Sequence, residues 1–252
     1  MSITVASLWR HPIKSHGREQ IASARLLAGQ GFPFDRKWAV THSSTDDAAY
    51  NGQWVSCQNF MIGTRTPALA GLWAQMDETN STITLRHRGL SSIAFRPDSQ
   101  DGIDHFINWV QPLYAAQSTK PVSLIPLPQR SWTDTDFPSI SIMSLASHSA
   151  VEATAGIPIE KERWRGNIWI DGIAPWEELG WIGKRIRVGN AELIVREAIV
   201  RCPHTKANPI TGVRDIDTLG LLDGVLNERL FGIYAEVIQA GVIHSGDRLE
   251  VL

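Results

Sequence analysis

The stretch KRIRVGNAELIVREAIVRC, residues 184–202, is the part of the sequence that decides the fold. Two apolar-rich runs of strand length flank Gly189 and Asn190, a pair that accepts the positive φ of a tight turn. The stretch therefore predicts a β-hairpin whose second strand ends near Cys202.

Further strand patterns occur on both sides of this hairpin. They are SITVASLW, RKWAVTH, STITLRH, LSSIAFR, SISIMS, RGNIWID, and two strands in IYAEVIQAGVIHSGDRLEVL. Helix patterns are fewer, in GIDHFINWVQ, LASHSAVEATAG and IDTLGLLDGVLNERLFG. Many short strands with few helices predict a mostly β protein, packed as a barrel or a sandwich.

A proline-rich segment divides the chain. Proline stands at positions 112, 121, 126, 128 and 138, a density typical of a connection between subdomains. We predict a first β-rich domain at 1–111 with a closing helix, a connection at 112–138, and a second domain at 139–252.

Composition excludes several classes of protein. The 252 residues are 43% hydrophobic and 20% charged, as in ordinary globular proteins, and the formal net charge is −2. This charge argues against a general nucleic-acid binder. The beginning of the chain has neither a basic lead-in nor a long apolar run, so we expect no signal peptide, no membrane partner and a cytoplasmic location.

The chain has two cysteines, Cys57 and Cys202, which predicts thiols rather than a disulfide framework. Cys202 is followed by a proline, which predicts that the strand stops here and leaves the thiol at its rim. Arg201, His204 and Lys206 are cations that could favour the thiolate.

Residue patterns alone leave four readings of Cys202 open. It could be a reactive thiolate, a small buried residue, a zinc ligand with His204, or the nucleophile of a hydrolase with His204 as base. Other residues with reactive or aromatic side chains give weaker indications of function. Cys57 and the tryptophans at 38, 54, 169 and 181 are expected to be structural, and Asp134 and Asp136 to lie in a solvated connection.

RCPHTKANPITGVRD, from Arg201 to Asp215, resembles the cysteine motif of the MOSC family, named for the C-terminal domain of molybdenum cofactor sulfurase. Four further segments resemble that family in the right order: LWRHPIKSHG and FDRKWAV its N-terminal β-barrel domain, RWRGNIWIDG and GDRLEVL the MOSC domain. The resemblance covers nearly the whole chain. It implies two β-barrel domains.

The resemblance also implies a site for the molybdenum cofactor (Mo-molybdopterin). In the mitochondrial amidoxime-reducing component and its bacterial relatives the motif cysteine is a molybdenum ligand, which implies that role for Cys202. The other positions that match family cofactor contacts are Lys14, Ser15, Arg36, Arg165, Asn167 and Thr205.

The implied activity is molybdenum-dependent reduction of N-hydroxylated or related nitrogen compounds, with a small-molecule substrate. The two cysteines cannot hold a fused iron–sulfur cluster, so electrons should come from a separate ferredoxin-like protein or flavin reductase. The alternative is a carrier of the cofactor, or of sulfur as a persulfide on Cys202. The sequence departs from the family at two positions: Gly166 replaces a proline, which loosens a turn, and Val200 replaces a hydroxyl residue of the mitochondrial enzymes, which removes a possible hydrogen bond to the metal site. The substrate range of those enzymes therefore does not carry over directly.

Overall fold

The computed structural model describes residues 2–252. Its strands are β1 (Ile3–Arg10), β2 (Glu19–Ile21), β3 (Ser23–Leu26), β4 (Trp38–His42), β5 (Trp73–Asp77), β6 (Thr82–His87), β7 (Leu90–Phe95), β8 (Pro121–Pro126), β9 (Ile140–Ser144), β10 (Ile168–Asp171), β11 (Arg185–Val188), β12 (Ala191–Val200), β13 (Leu230–Gln239), β14 (Gly241–His244) and β15 (Arg248–Val251). Its α-helices are α1 (Asp47–Tyr50), α2 (Gln100–Val110), α3 (Leu145–Ala155) and α4 (Thr218–Leu226). Short 3-10 helices lie between them.

A closed β-barrel forms the larger part of the molecule. Its strands follow the order β10-β9-β13-β12-β11-β15-β1, and β1 also pairs with β10, which closes the ring. Only β9 and β10 run parallel. Strand β2 extends this sheet outside the ring by pairing with the end of β1, and apolar side chains from every barrel strand fill the interior. The mostly β, barrel-like fold predicted from the sequence is confirmed.

The hairpin of residues 184–202 lies in this barrel as β11 and β12. Val188 pairs with Ala191 across the turn, and Gly189 has a φ of 52°. A left-handed backbone at this position is the reason that glycine is needed there. The turn predicted from the Gly189–Asn190 pair is therefore present.

A second apolar core lies in the first half of the chain. The β5-β6-β7 sheet and the β4–β8 pair enclose it together with α2. Phe106, Ile107 and Val110 of α2 are buried, as the helical periodicity predicts. Ser99 caps the helix by accepting a hydrogen bond from the Gly102 amide at 3.2 Å.

The C-terminal segment differs from the prediction of two strands. Three strands form there, because β13 ends at Gln239 and the chain leaves the barrel as β14 to pair with β3. It then returns to the barrel as β15.

The chain crosses between its two halves more than once. Strand β1 belongs to the barrel that the second half builds, and β8 lies within the proline-rich segment and pairs with β4. The division at 1–111, 112–138 and 139–252 stays a prediction. None of the helices in residues 2–252 combines the length and the apolar character needed to cross a membrane.

Candidate functional site

A pocket lies where the end of β12 meets two loops from the first half of the chain. It encloses about 710 Å³ of atom-free space, including its open mouth. The residues that line it are Lys14, Ser15, Arg36, Cys57, Ile62, Thr64, Asp134, Ser141, Arg163, Trp164, Arg165, Ile199, Val200, Arg201, Cys202, His204, Thr205 and Tyr234. Six of the seven site residues predicted from the sequence are among them.

Cys202 lies at the rim of this pocket. Strand β12 ends at Val200, and Cys202 precedes the 3-10 helix Pro203–Lys206. The cysteine is exposed, and its Sγ lies 3.4 Å from the Thr64 hydroxyl oxygen. An exposed thiol beside a pocket contradicts the reading of Cys202 as a small buried residue.

Of the three residues next to Cys202 that the sequence offers as cations, Arg201 lines the pocket with it, whereas His204 and Lys206 differ from expectation. His204 is buried, and burial, together with the nearby Arg165, lowers its pKa to about 3, so its ring is neutral at physiological pH. Lys206 forms an ion pair with Asp217 at 2.7 Å. The Arg201 guanidinium donates to the Phe231 and Trp164 carbonyl oxygens, both at 2.9 Å. The prediction that His204 supplies a cation to the thiol is therefore wrong.

Remote parts of the chain add positive charge to the pocket beside that of Arg201. Lys14 follows β1, Arg36 precedes β4, and Arg165 follows the 3-10 helix Lys161–Trp164. All three cations line the same pocket. Arg36 and Arg165 are 129 positions apart in the sequence, yet the Arg36 Nη2 donates a hydrogen bond to the Arg165 carbonyl oxygen at 3.2 Å. Such a cluster in a concave site attracts anions.

Lys14 is already paired within the protein. Its Nζ donates to the Trp132 carbonyl oxygen at 2.7 Å and to an Asp134 carboxylate oxygen at 2.6 Å. Burial raises the pKa of Asp134, but the adjacent Lys14 ammonium and Arg36 outweigh it and hold that pKa below its usual range. Asp134 thus lines the pocket as a carboxylate, and its side chain is exposed, as expected from the sequence. A ligand phosphate would compete with it for Lys14.

Arg36 is held by a buried carboxylate. Asp35 accepts hydrogen bonds from the Arg36 guanidinium, from the His11 amide at 2.7 Å and from the His11 Nδ1 at 2.9 Å. Burial disfavours the charged forms of both partners, yet their mutual attraction dominates, raising the pKa of Arg36 and lowering that of Asp35. Burial also lowers the pKa of His11 to about 3, so His11 contributes a neutral donor.

Arg165 is the cation with unused hydrogen-bonding capacity. Its Nη1 donates to the Gly17 carbonyl oxygen at 3.2 Å, while its Nη2 is buried without a partner among residues 2–252. Burial and the repulsion of Arg36 lower its pKa to about 9. An unpaired buried donor is costly, and an anion in the pocket would satisfy it.

The remaining predicted residues differ in their surroundings. Ser15 lines the pocket beside Lys14. Thr205 also lines it, and its hydroxyl bonds the Cys202 carbonyl oxygen at 3.1 Å and the Thr218 hydroxyl at 2.7 Å, which fixes the turn that carries the cysteine. Asn167 does not line the pocket: its side-chain oxygen accepts from Ser141 and its nitrogen donates to the Trp9 carbonyl oxygen, so it joins β9 to β1.

Sequence reasoning missed two features of the pocket. Cys57 faces it from the 3-10 helix Cys57–Asn59, and burial raises the pKa of this thiol. Gly63 allows His204 to pack closely, since a Cβ at this position would lie 1.8 Å from the His204 Nδ1. The sequence alone shows no motif that marks either residue.

The described residues do not provide a set of side chains that could bind a free metal ion. Residues 2–252 contain no group of three or more His, Cys, Asp or Glu side chains placed to hold a metal ion. The pocket combines the exposed thiol of Cys202 with a cluster of cations, which suits an anionic group that brings its own metal ligands.

The closed barrel and a basic pocket beside an exposed thiol define the class of protein. Family models match along the chain, the MOSC N-terminal beta barrel domain at residues 2–113 and the MOSC domain at residues 132–250. The chain therefore belongs to the MOSC family, and the resemblance seen in its sequence is confirmed. This family is associated with molybdenum cofactor binding.

Two solved structures are similar to the chain. YuaD from Bacillus subtilis is 15% identical with a TM-score of 0.48, over 100% of this chain and 96% of that one. YiiM from Geobacillus stearothermophilus is 18% identical with a TM-score of 0.35, over 45% of this chain and 53% of that one. No curated protein matches.

Proposed function

We propose that the pocket binds the molybdenum cofactor and that the protein is a molybdenum-dependent reductase of N-hydroxylated or related oxygenated nitrogen compounds. The observation that carries the cofactor assignment is the unpartnered, buried Nη2 of Arg165 in a pocket whose rim holds an exposed thiol. A phosphorylated pterin whose dithiolene pair holds molybdenum presents anionic oxygens to the Arg165 Nη2 and a soft metal to the thiol.

Each residue has a distinct role in this proposal. Arg36 and Arg165 bind anionic oxygens of the pterin or its phosphate, with Ser15 as a hydrogen-bond partner. Lys14 binds phosphate when it is released from Asp134. Cys202 supplies one thiolate to the metal, because a thiolate suits a metal that sulfur already holds. Thr205 and Asn167 support the backbone around these groups rather than bind the cofactor.

The reductase assignment rests on the open side of the pocket. Ile62 and Val200 line it near Cys202, and Val200 is 73% exposed, so a small substrate has an apolar approach to the thiol. The bound cofactor would supply the redox chemistry that removes the oxygen, a net uptake of two electrons and two protons with release of water. The chain's own residues position the cofactor and admit the substrate.

The proposal also includes a separate electron-transfer protein and a cytoplasmic location. The thiols of Cys57 and Cys202 are both free, as is usual in a reducing compartment. A cofactor or persulfide carrier would use the same Cys202 and the same pocket, so only turnover separates the two functions.

Turnover can be measured with a small artificial reductant such as dithionite and an N-hydroxylated substrate. We expect activity in the cofactor-loaded protein and its loss per bound molybdenum in Cys202→Ser, because a hydroxyl is a poorer ligand for a soft metal. Cys57→Ser is the matched control, since it removes the other thiol of the same pocket and should keep activity. Loaded protein without turnover would overturn the reductase in favour of the carrier.

A further inference from the structure

A second concave surface, the basic groove, is lined by residues that neighbour those of the cofactor pocket in the chain. Its floor is apolar, and its edges carry three cations. We define it by Arg25, Leu27, Phe34, Lys37, Pro128 and Arg130. No acidic side chain lines the groove in the part of the chain that the structure describes.

Two of the three cations of the basic groove, Arg25 and Lys37, are not neutralised by an ion pair within residues 2–252. Arg25 is exposed on β3, and neither it nor Lys37 forms an ion pair with any of residues 2–252. Lys37 instead lies over the aromatic rings of Phe34 and Trp38, at 5.1 and 5.0 Å from their centroids. Leu27, 51% exposed, leaves an apolar spot between these cations.

The same two chain segments contribute lining residues to both the basic groove and the cofactor pocket. Arg36 lines the pocket, and the next residue, Lys37, lines the groove. The second segment is the loop after β8, in which Ser131 lines the groove and Asp134 lines the pocket. Backbone hydrogen bonds join the two segments. The Trp132 amide donates to the Arg36 carbonyl oxygen at 2.8 Å, and the Leu127 amide donates to the Lys37 carbonyl oxygen at 3.0 Å.

We propose that the basic groove is the docking site of the electron donor, and that this donor is an acidic one-electron carrier protein of the ferredoxin type. The inference rests on the proposed reductase function, which requires an external donor. Unpaired cations around a small apolar spot match an acidic carrier, because electron-transfer contacts are small and steered by charge. Because neighbouring residues line the groove and the pocket, a carrier docked in the groove lies close to the cofactor.

Binding can be tested independently of turnover with the full chain and a plant-type [2Fe–2S] ferredoxin as the probe. We expect binding at low salt that weakens as ionic strength rises. Arg25→Glu and Lys37→Glu should each raise the dissociation constant roughly tenfold. Arg25→Glu is the more informative variant, because its side chain is exposed and makes no ion pair that the fold depends on.

Arg88→Glu is the matched control. It makes the same change of charge at an exposed position in the turn between β6 and β7, away from both pockets. Equal weakening by Arg88→Glu would show a general charge effect and overturn the docking site, as would absence of ferredoxin binding or unchanged binding in Arg25→Glu. Dithionite-driven turnover should be the same in Arg25→Glu and the parent. Absence of dithionite-driven turnover in the parent would refute the reductase function, whereas the binding experiment decides the docking site by itself.

Discussion

At the scale of single residues, the pocket contains an unusual concentration of left-handed backbone. Ser15, Arg36 and Arg165 have φ values of 64°, 49° and 52°, a conformation that costs a non-glycine residue about 1 kcal/mol or more. Surrounding hydrogen bonds stabilise it. The Arg36 amide donates to the His11 carbonyl oxygen at 2.7 Å, and the Arg165 amide to that of Glu162 at 3.2 Å. The strained turns place the two guanidinium groups at one site.

Removal of Arg165 should weaken cofactor binding more than removal of Lys14. Arg165 offers a free buried donor, while Lys14 must first leave Asp134. Loss of a charge-assisted hydrogen bond costs about 1.5–3 kcal/mol, or roughly ten- to hundredfold in affinity. We expect Arg165→Ala to purify with far less pterin than Lys14→Ala, with both variants folded. Pterin release and fluorescence measure this, and equal retention in the two variants would contradict it.

Much of the pocket could be predicted from one sequence because the cofactor contacts lie in recognisable segments. LWRHPIKSHG, FDRKWAV and RWRGN contain Lys14, Arg36 and Arg165, and the structure brings all three beside Cys202. Their roles stay predictions. Asp134 could not be predicted, since its pairing with Lys14 spans 120 positions and a proline-rich loop gives no sign of it. The neutral state of His204 follows from burial, which the neighbouring residues in the sequence do not reveal.

At the scale of elements, prolines obscured one strand. Strand β8 begins at Pro121 and ends at Pro126, and β4 is its one partner among residues 2–252. An edge strand tolerates proline because a missing N–H on its free side breaks no ladder bond. Strand β14 was also missed, since a single residue separates it from β13 and no turn motif marks the departure from the barrel.

Limited proteolysis tests the relative stability of these elements. Subtilisin should cut first between positions 115 and 120, where Ala115, Ala116, Ser118 and Lys120 are exposed and lie outside the strands. The hairpin β11–β12 should resist, because β12 is paired along most of its length with β13. The cleavage sites can be read by mass spectrometry of early fragments. Early cleavage within residues 184–202 would contradict the barrel as the most stable unit.

At the scale of the whole molecule, buried neutral histidines link stability to pH. Burial lowers the pKa values of His11, His16 and His204 to about 3, 4 and 3. Below pH 6.5 the unfolded chain binds protons at these side chains, whereas the folded chain does not. The free energy of unfolding therefore decreases as the pH is lowered from about 6.5 to 4. Each histidine contributes at most about 1.4 kcal/mol per pH unit.

Urea unfolding at a series of pH values measures this dependence. His11, His16 and His204 together should contribute up to about 4 kcal/mol per pH unit to the slope. His16→Gln should reduce this contribution by about a third, because one titrating group is removed. Paired carboxylates such as Asp35 and Asp134 add their effect only at lower pH, where unfolded aspartate takes up protons. A free energy of unfolding that is flat between pH 6.5 and 4.5 would show that these histidines are not buried as neutral groups.

The central claim is that the pocket between the barrel and the first-half loops holds the molybdenum cofactor, with Cys202 bound to its metal. The most direct measurement is molybdenum and pterin content, with molybdenum X-ray absorption, of protein made in a host that synthesises the cofactor. We predict stoichiometric molybdenum and pterin, and one fewer sulfur ligand in Cys202→Ser than in the parent. Protein that purifies from such a host without either component, or unchanged sulfur coordination in Cys202→Ser, would contradict the account.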